Sequence, residues 1–344
     1  MKLSIKVILL TFINTMFLNC IITSNILIYL FPRNAYIMSL LLGLFTSLLY
    51  IVLPLKRPNC QNKVLNNNFT RIILIIYLIL STVLLTLTST KILSDYFFFL
   101  TPTFLIITIL LFFVACSIVN VRTIMNIMLL LFVILLITSH AHFLNTNYRD
   151  FRLLTPLSFH FDKPYLALPL LFTYLDNILF FTIPSVTSTP PSKWNYVIGT
   201  LIGSLLSTWF IMDNYLFLDY HFFDNMLFPS LFRYRLYTGP KYIEHLDIFL
   251  CIYICAYIFI KLLFNLEILR QVFKRKNTLF FRLTTTTFLG VIITFLFYNY
   301  VLNQTFIIVT SLILTTTILI FYFTLWRYKK HDEWKSITWY FKYP

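Results

Sequence analysis

Long apolar runs recur along this chain from end to end, broken by short stretches that collect Lys, Arg, Asn, Asp and Pro. About 20 apolar residues wound as a helix cross the roughly 30 Å hydrocarbon core of a bilayer. The runs lack the two-residue alternation of a barrel strand. Without water, each crossing must also pair its own backbone, so the pattern predicts helices. Ten spans are predicted, at residues 7–31, 35–55, 71–90, 100–120, 124–141, 165–184, 194–217, 246–268, 283–302 and 305–326. The expected fold is an all-α, polytopic membrane helix bundle, one domain over residues 1–326 with a cytoplasmic tail at 327–344. Lys2 and Lys6 precede the first run as in a signal peptide, but the run from Val7 to Phe31 is too long and no small-residue cleavage site follows. It reads as a transmembrane helix that is retained.

Composition sharpens this picture. Of 344 residues, 59% are apolar and 11% charged, more apolar surface than a soluble domain of this length can hide from water. The formal charge of +15 would suggest nucleic acid in a soluble protein, but its distribution gives another reason. When alternate loops are assigned to opposite sides, the N-terminus, even-numbered loops and tail hold eighteen Lys and Arg, and the odd-numbered loops hold eight. The remaining cation, Lys261, lies inside a span. Cationic loops stay in the cytoplasm, so both termini are expected there and no nucleic-acid partner is implied. Two outer segments, 145–164 and 219–247, are long enough to carry interfacial structure.

Candidate chemistry begins with charges inside spans, each costing at least about 2.5–3.5 kcal/mol at a helix centre. Asp176 is the foremost, in the sixth span beside Asn177 and eight residues before Pro184. A proline there can break the helix and free backbone groups for a ligand; the other reading is an Asp paired to a neighbouring helix for assembly. Lys261, in the eighth span, is a possible partner for Asp176 or Asp213, while Glu267 sits near the cytoplasmic end and is expected to snorkel. The first span carries Thr11, Asn14, Thr15, Asn19, Thr23, Ser24 and Asn25. Asn14 and Asn25 are eleven apart and share a face in a regular helix, so the stripe should meet either another helix or a polar cavity. Gly199 and Gly203 form a GxxxG pair that suggests close helix packing. The five cysteines form no CxxC pair, and the outer histidines His140, His142, His160, His221 and His245 form no HExxH arrangement. No metal site or cofactor is expected, and no phosphate-binding loop or G-x-S-x-G points to an enzyme.

Three local strings add a resemblance. Asp150-Phe-Arg-Leu-Leu-Thr-Pro156 precedes the sixth span, and Phe172-Thr-Tyr-Leu-Asp176 with Phe180-Phe-Thr-Ile-Pro184 lies within it. Phe228-Pro229 and Gly239-Pro-Lys-Tyr-Ile-Glu-His-Leu-Asp247 lead into the eighth span, and Arg122 follows the fourth. With the ten-span layout, these resemble the spore germination permease family, the B subunits of bacterial germinant receptors, related to amino acid–polyamine–organocation transporters. Asp176 stands where that family usually has Glu, Leu175 where it has Gly, and His245 where it has Arg. The first span also lacks the family's Gly-rich break.

The resemblance implies a transporter-like inverted repeat and a non-enzymatic germinant-receptor subunit in the spore inner membrane, working with A-type and C-type partner subunits. It would bind a small nutrient, an amino acid or nucleoside, between its first and sixth helices. The candidate ligand-binding residues are Asn14, Asn19, Asn25, Asp176 and Asn177, and the candidate gate or partner contacts are Arg233, Arg235, His245 and Asp247. Two other readings remain open: a secondary transporter of amino acids or related small molecules, and a polytopic polymerase of surface polysaccharide using His221, Arg233, Arg235 and His245.

Overall fold

The computed structural model describes residues 3–52, 67–93, 163–182, 192–217, 261–269 and 303–342, with single positions at 126, 130, 254, 257, 258 and 272. Every regular element among them is helical. Five helices are long and apolar enough to cross a membrane: Val7–Leu30, Ala35–Val52, Asn68–Ile92, Lys193–Leu216 and Gln304–Trp326. They match the predicted first, second, third, seventh and tenth spans. The predicted fourth and ninth spans, the fifth apart from residues 126 and 130, and about half of the eighth lie outside the described residues.

The first crossing is not one regular helix. It consists of α1 (Leu3–Leu18), a π-helical turn at Asn19–Thr23 and α2 (Ser24–Leu30). The span contains no glycine, yet the helix is irregular at mid-span all the same. Next come α3 (Ala35–Val52) and α4 (Asn68–Ile92). Asn67 starts α4 by accepting a hydrogen bond from Phe69 N (3.0 Å), which satisfies one of the orphan donors of a first turn.

The segment Pro164–Thr182, predicted as the sixth span and called the sixth crossing below, is the least regular. Lys163 sits in the left-handed region at φ 55°, and Pro164–Leu171 then follows as a 3₁₀ helix. A single α turn, α5 (Phe172–Leu175), separates it from a second 3₁₀ stretch, Asp176–Thr182. At about 2.0 Å per 3₁₀ residue and 1.5 Å per α residue the segment reaches roughly 36 Å, enough to span hydrocarbon. Pro169, inside the first 3₁₀ stretch, has no N–H to donate, so the local ladder fails. Side chains of neighbouring helices bond other backbone groups of the segment. Thr315 Oγ1 accepts from Phe172 N (3.1 Å) and donates to Pro169 O (2.5 Å), and Tyr50 OH donates to Tyr174 O (2.8 Å). The expected break at Pro184 lies outside the described residues; those described place the irregularity at Pro169 and again at Asp176.

Two further helices complete the described fold, α6 (Lys193–Phe217) and α7 (Gln304–Lys342), with 261–269 helical between them. The expected tail, 327–344, continues α7 without a break as far as Lys342. α6 packs between α1 and α3. Against α1 it runs parallel: Gly199 meets Thr11, Gly203 meets Thr15, and Ser207 accepts from Asn19. A Cβ on Gly199 would lie 1.7 Å from Thr11 Oγ1 and 2.8 Å from Ile8 O, so only glycine permits this approach. Against α3 the direction reverses, with Tyr36 beside Tyr215, Gly43 beside Ser204, and Lys193 donating to Ile51 O (3.1 Å). The opposite face of α6 exposes Trp194, Ile198, Ile202 and Leu205, and α3 exposes Leu41, Leu44, Phe45 and Leu48. Such continuous apolar faces suit lipid rather than water.

Candidate functional site

Two irregular segments bring the site together. The sixth crossing runs antiparallel to α1, so that Asn177 faces Asn14 and Thr15 while Thr173 faces Asn19 and Thr23. Asp176 opens the second 3₁₀ stretch, and its carboxylate is 1% exposed. An isolated buried charge would be prohibitive, and the surrounding spans answer it with donors. Tyr77 OH, from α4, donates to Oδ1 at 2.6 Å. Asn14 Nδ2, from α1, donates to Oδ2 at 2.9 Å, and Lys261 Nζ makes an ion pair with the same oxygen. Lys261 is itself 1% exposed. The pair is therefore a neutral unit held by the first, third, sixth and eighth spans.

Around it, the amides are saturated. Asn14 Nδ2 has two hydrogens and two acceptors, Asp176 Oδ2 and Asn177 Oδ1 (2.8 Å), while Asn14 Oδ1 accepts from Tyr257 OH (2.9 Å). The Tyr257 ring stacks on Phe17 with centroids 4.1 Å apart. Asn177 Nδ2 donates to Thr15 Oγ1 (2.6 Å) and Thr200 Oγ1 (3.1 Å), which ties the cluster to the α1–α6 seam. Beyond it, at the π turn, Asn19 Oδ1 lies 2.9 Å from both Thr23 Oγ1 and Thr173 Oγ1, and Asn19 Nδ2 reaches Ser207.

Asn14, Asn19, Asp176 and Asn177 thus meet in one polar layer. Asn25 lies one turn further on, in α2, and its Nδ2 donates to Ile21 O (2.8 Å) in the π turn. Of the two partners considered for Lys261, the structure pairs it with Asp176. Arg233, Arg235, His245 and Asp247 lie outside the described residues. Tyr77, Tyr257 and Thr200 are cluster members that the sequence did not single out. Among the described residues no group of His, Cys, Asp and Glu is arranged to hold a metal ion.

No family model and no curated protein matches this chain. The site must be judged on its chemistry. The described partners of Asp176 are Tyr77, Asn14 and Lys261, with no histidine among them. What the arrangement offers is recognition, a carboxylate and a row of amides and hydroxyls at the middle of a lipid-facing bundle.

Proposed function

We propose that this chain is a multi-pass, non-enzymatic sensor of the germinant-receptor B type, binding a small nutrient at the Asp176 layer and acting with A-type and C-type subunits in the spore inner membrane. The observation that carries the proposal is the buried, neutral Asp176–Lys261 pair where two irregular helices cross. Intramembrane ion pairs are costly to maintain and mark ligand or ion sites by default. Irregular helices at the same depth supply the backbone polarity that such a site needs. Ligand binding would bias two packings of the bundle by its differential affinity for them.

Helix directions support the ten-span layout within this reading. The segment 164–182 starts at the membrane face opposite to the one where α3 ends, so an odd number of crossings separates them, as the three predicted spans require. Thr315 of α7 lies by Pro169, and Tyr322 OH donates to Leu49 O (2.6 Å), so α7 runs opposite to α6. An even number of crossings between α6 and α7 follows, in keeping with the two predicted. An inverted repeat fits the exchanged contacts, α1 with α6 and α3 with the sixth crossing.

The test is germination of spores lacking the gene, scored by loss of refractility against amino acids and nucleosides. A nutrient-specific defect restored by wild type but not by Asp176→Asn is expected; full germination on every nutrient with Asp176→Asn alone would sink the sensor reading. Secondary transport of amino acids or related molecules is the second reading, favoured by the paired irregular helices at mid-membrane. Accumulation of labelled solute against its gradient in proteoliposomes would select it.

A further inference from the structure

The two members of the ion pair are held very differently. The Asp176 carboxylate receives three donors from three other spans: Tyr77, Asn14 and Lys261. The Lys261 ammonium has three hydrogens, yet its described partners are one oxygen, Asp176 Oδ2, and the ring of Phe264, whose centroid lies 5.3 Å away. Four residues on, on the same helical face, Asn265 is fully buried and its Oδ1 has no hydrogen-bond partner, while its Nδ2 donates to Thr82 (3.2 Å). So the anion is built into the framework. The cation is a flexible four-carbon arm with a second acceptor one turn away.

From this asymmetry we infer that Lys261 is the tethered occupant of an ammonium subsite formed by Asp176 Oδ2 and the Phe264 face, and that the ligand is a small molecule whose own ammonium group displaces it. A carboxylate beside an aromatic face is the usual recognition chemistry for an alkylammonium. On displacement the Lys261 arm swings to Asn265 Oδ1, and a ligand that also carries an anionic group keeps the buried charge balanced. The tether acts as an internal competitor: it is always present at high effective concentration, so the resting bundle stays closed until an external ammonium outcompetes it. An uncharged nutrient has no means of taking its place. The inference rests on the Asp176 layer being a ligand site, but not on germination as the output.

The experiment uses the full-length protein in lipid nanodiscs. Lys261→Ala removes three carbons and the ammonium, the fragment n-propylammonium replaces. Thermal unfolding of this variant should show a saturable upward shift with n-propylammonium and none with n-propanol. The shift should vanish in Lys261→Ala/Asp176→Asn. Wild type should bind n-propylammonium roughly a hundredfold more weakly, because the tether already fills the position. No saturable shift, a shift that survives loss of Asp176, or equal binding by wild type would each overturn the inference. If Lys261→Ala does not fold, n-propylammonium present during extraction must restore folded protein; failure to do so overturns it equally. Normal germination with Asp176→Asn would sink the sensor reading while leaving a positive binding result intact.

Discussion

The first span meets two of its neighbours by opposite means. Toward α6 it presents Thr11 and Thr15 to Gly199 and Gly203, a seam so close that a single methyl group has no room. Toward the sixth crossing it presents Asn14 and Asn19 to Asp176, Asn177 and Thr173, a contact made of exchangeable hydrogen bonds. A close-packed seam has one arrangement and resists sliding, because lipid chains cannot refill lost contact as closely as the fitted helices do. A polar layer can trade partners at little cost as long as every donor finds another acceptor. On the proposed reading, the α1–α6 seam is the scaffold and the polar layer is the part that would respond to a ligand.

The largest effect should come from breaking the polar side. Lys261→Met strands the Asp176 charge and is expected to cost about 3–5 kcal/mol, seen as a lower midpoint in thermal unfolding. Adding Asp176→Asn should recover part of that loss, and an unchanged midpoint in Lys261→Met would mean the pair is not formed. Tyr77→Phe removes one donor to the carboxylate and should cost about 1.5–3 kcal/mol by the same measurement. The seam is probed by Gly199→Ala, which forces the Thr11 side chain and the Ile8 carbonyl to give way, at about 1–3 kcal/mol. It should leave ligand affinity within error of wild type, and a marked change in affinity would erase the distinction between scaffold and responding part. The smallest effect is expected from Asn25→Ala, at about 1 kcal/mol or less, with the nutrient response intact where Asn14→Ala abolishes it.

How much of this was legible beforehand depends on how the signal is carried. Asp176 and Lys261 stood out because a charge in an apolar run has few bland explanations. Asn14 and Asn19 were readable as a polar stripe on a helix. Asn25 shares a face with Asn14 only in a regular helix, and the π turn between them shifts that register. A turn closed by i→i+5 bonds holds one residue more than an α turn, so everything after it is rotated by roughly 100°, the angle of one residue. No glycine or proline marks that turn, so the sequence gives no warning of it. Tyr77 and Tyr257 were hidden for another reason. The chain has 22 tyrosines, and an aromatic in an apolar span is as good a packing residue as a donor, so their role emerges only when the hydroxyl is seen to reach a carboxylate or an amide. For the sixth crossing the sequence pointed to a break at Pro184, outside the described residues, and the side chains that bond its 3₁₀ backbone, Thr315 and Tyr50, are remote in the chain.

The parallel seam also has a consequence in time. Asn19 and the residue it meets on α6, Ser207, are separated by 188 positions. At about 5–20 residues per second of synthesis, the first span waits roughly 10–40 s in the bilayer before its partner leaves the ribosome. For most of that interval, until residues 173–177 emerge, its asparagines and threonines have only their own backbone, lipid headgroups or a biogenesis chaperone to turn to. The internal bonds from Thr11 to Val7 O, Thr15 to Thr11 O and Asn25 to Ile21 O then take on a second purpose, as provisional partners that let a polar helix survive alone until assembly.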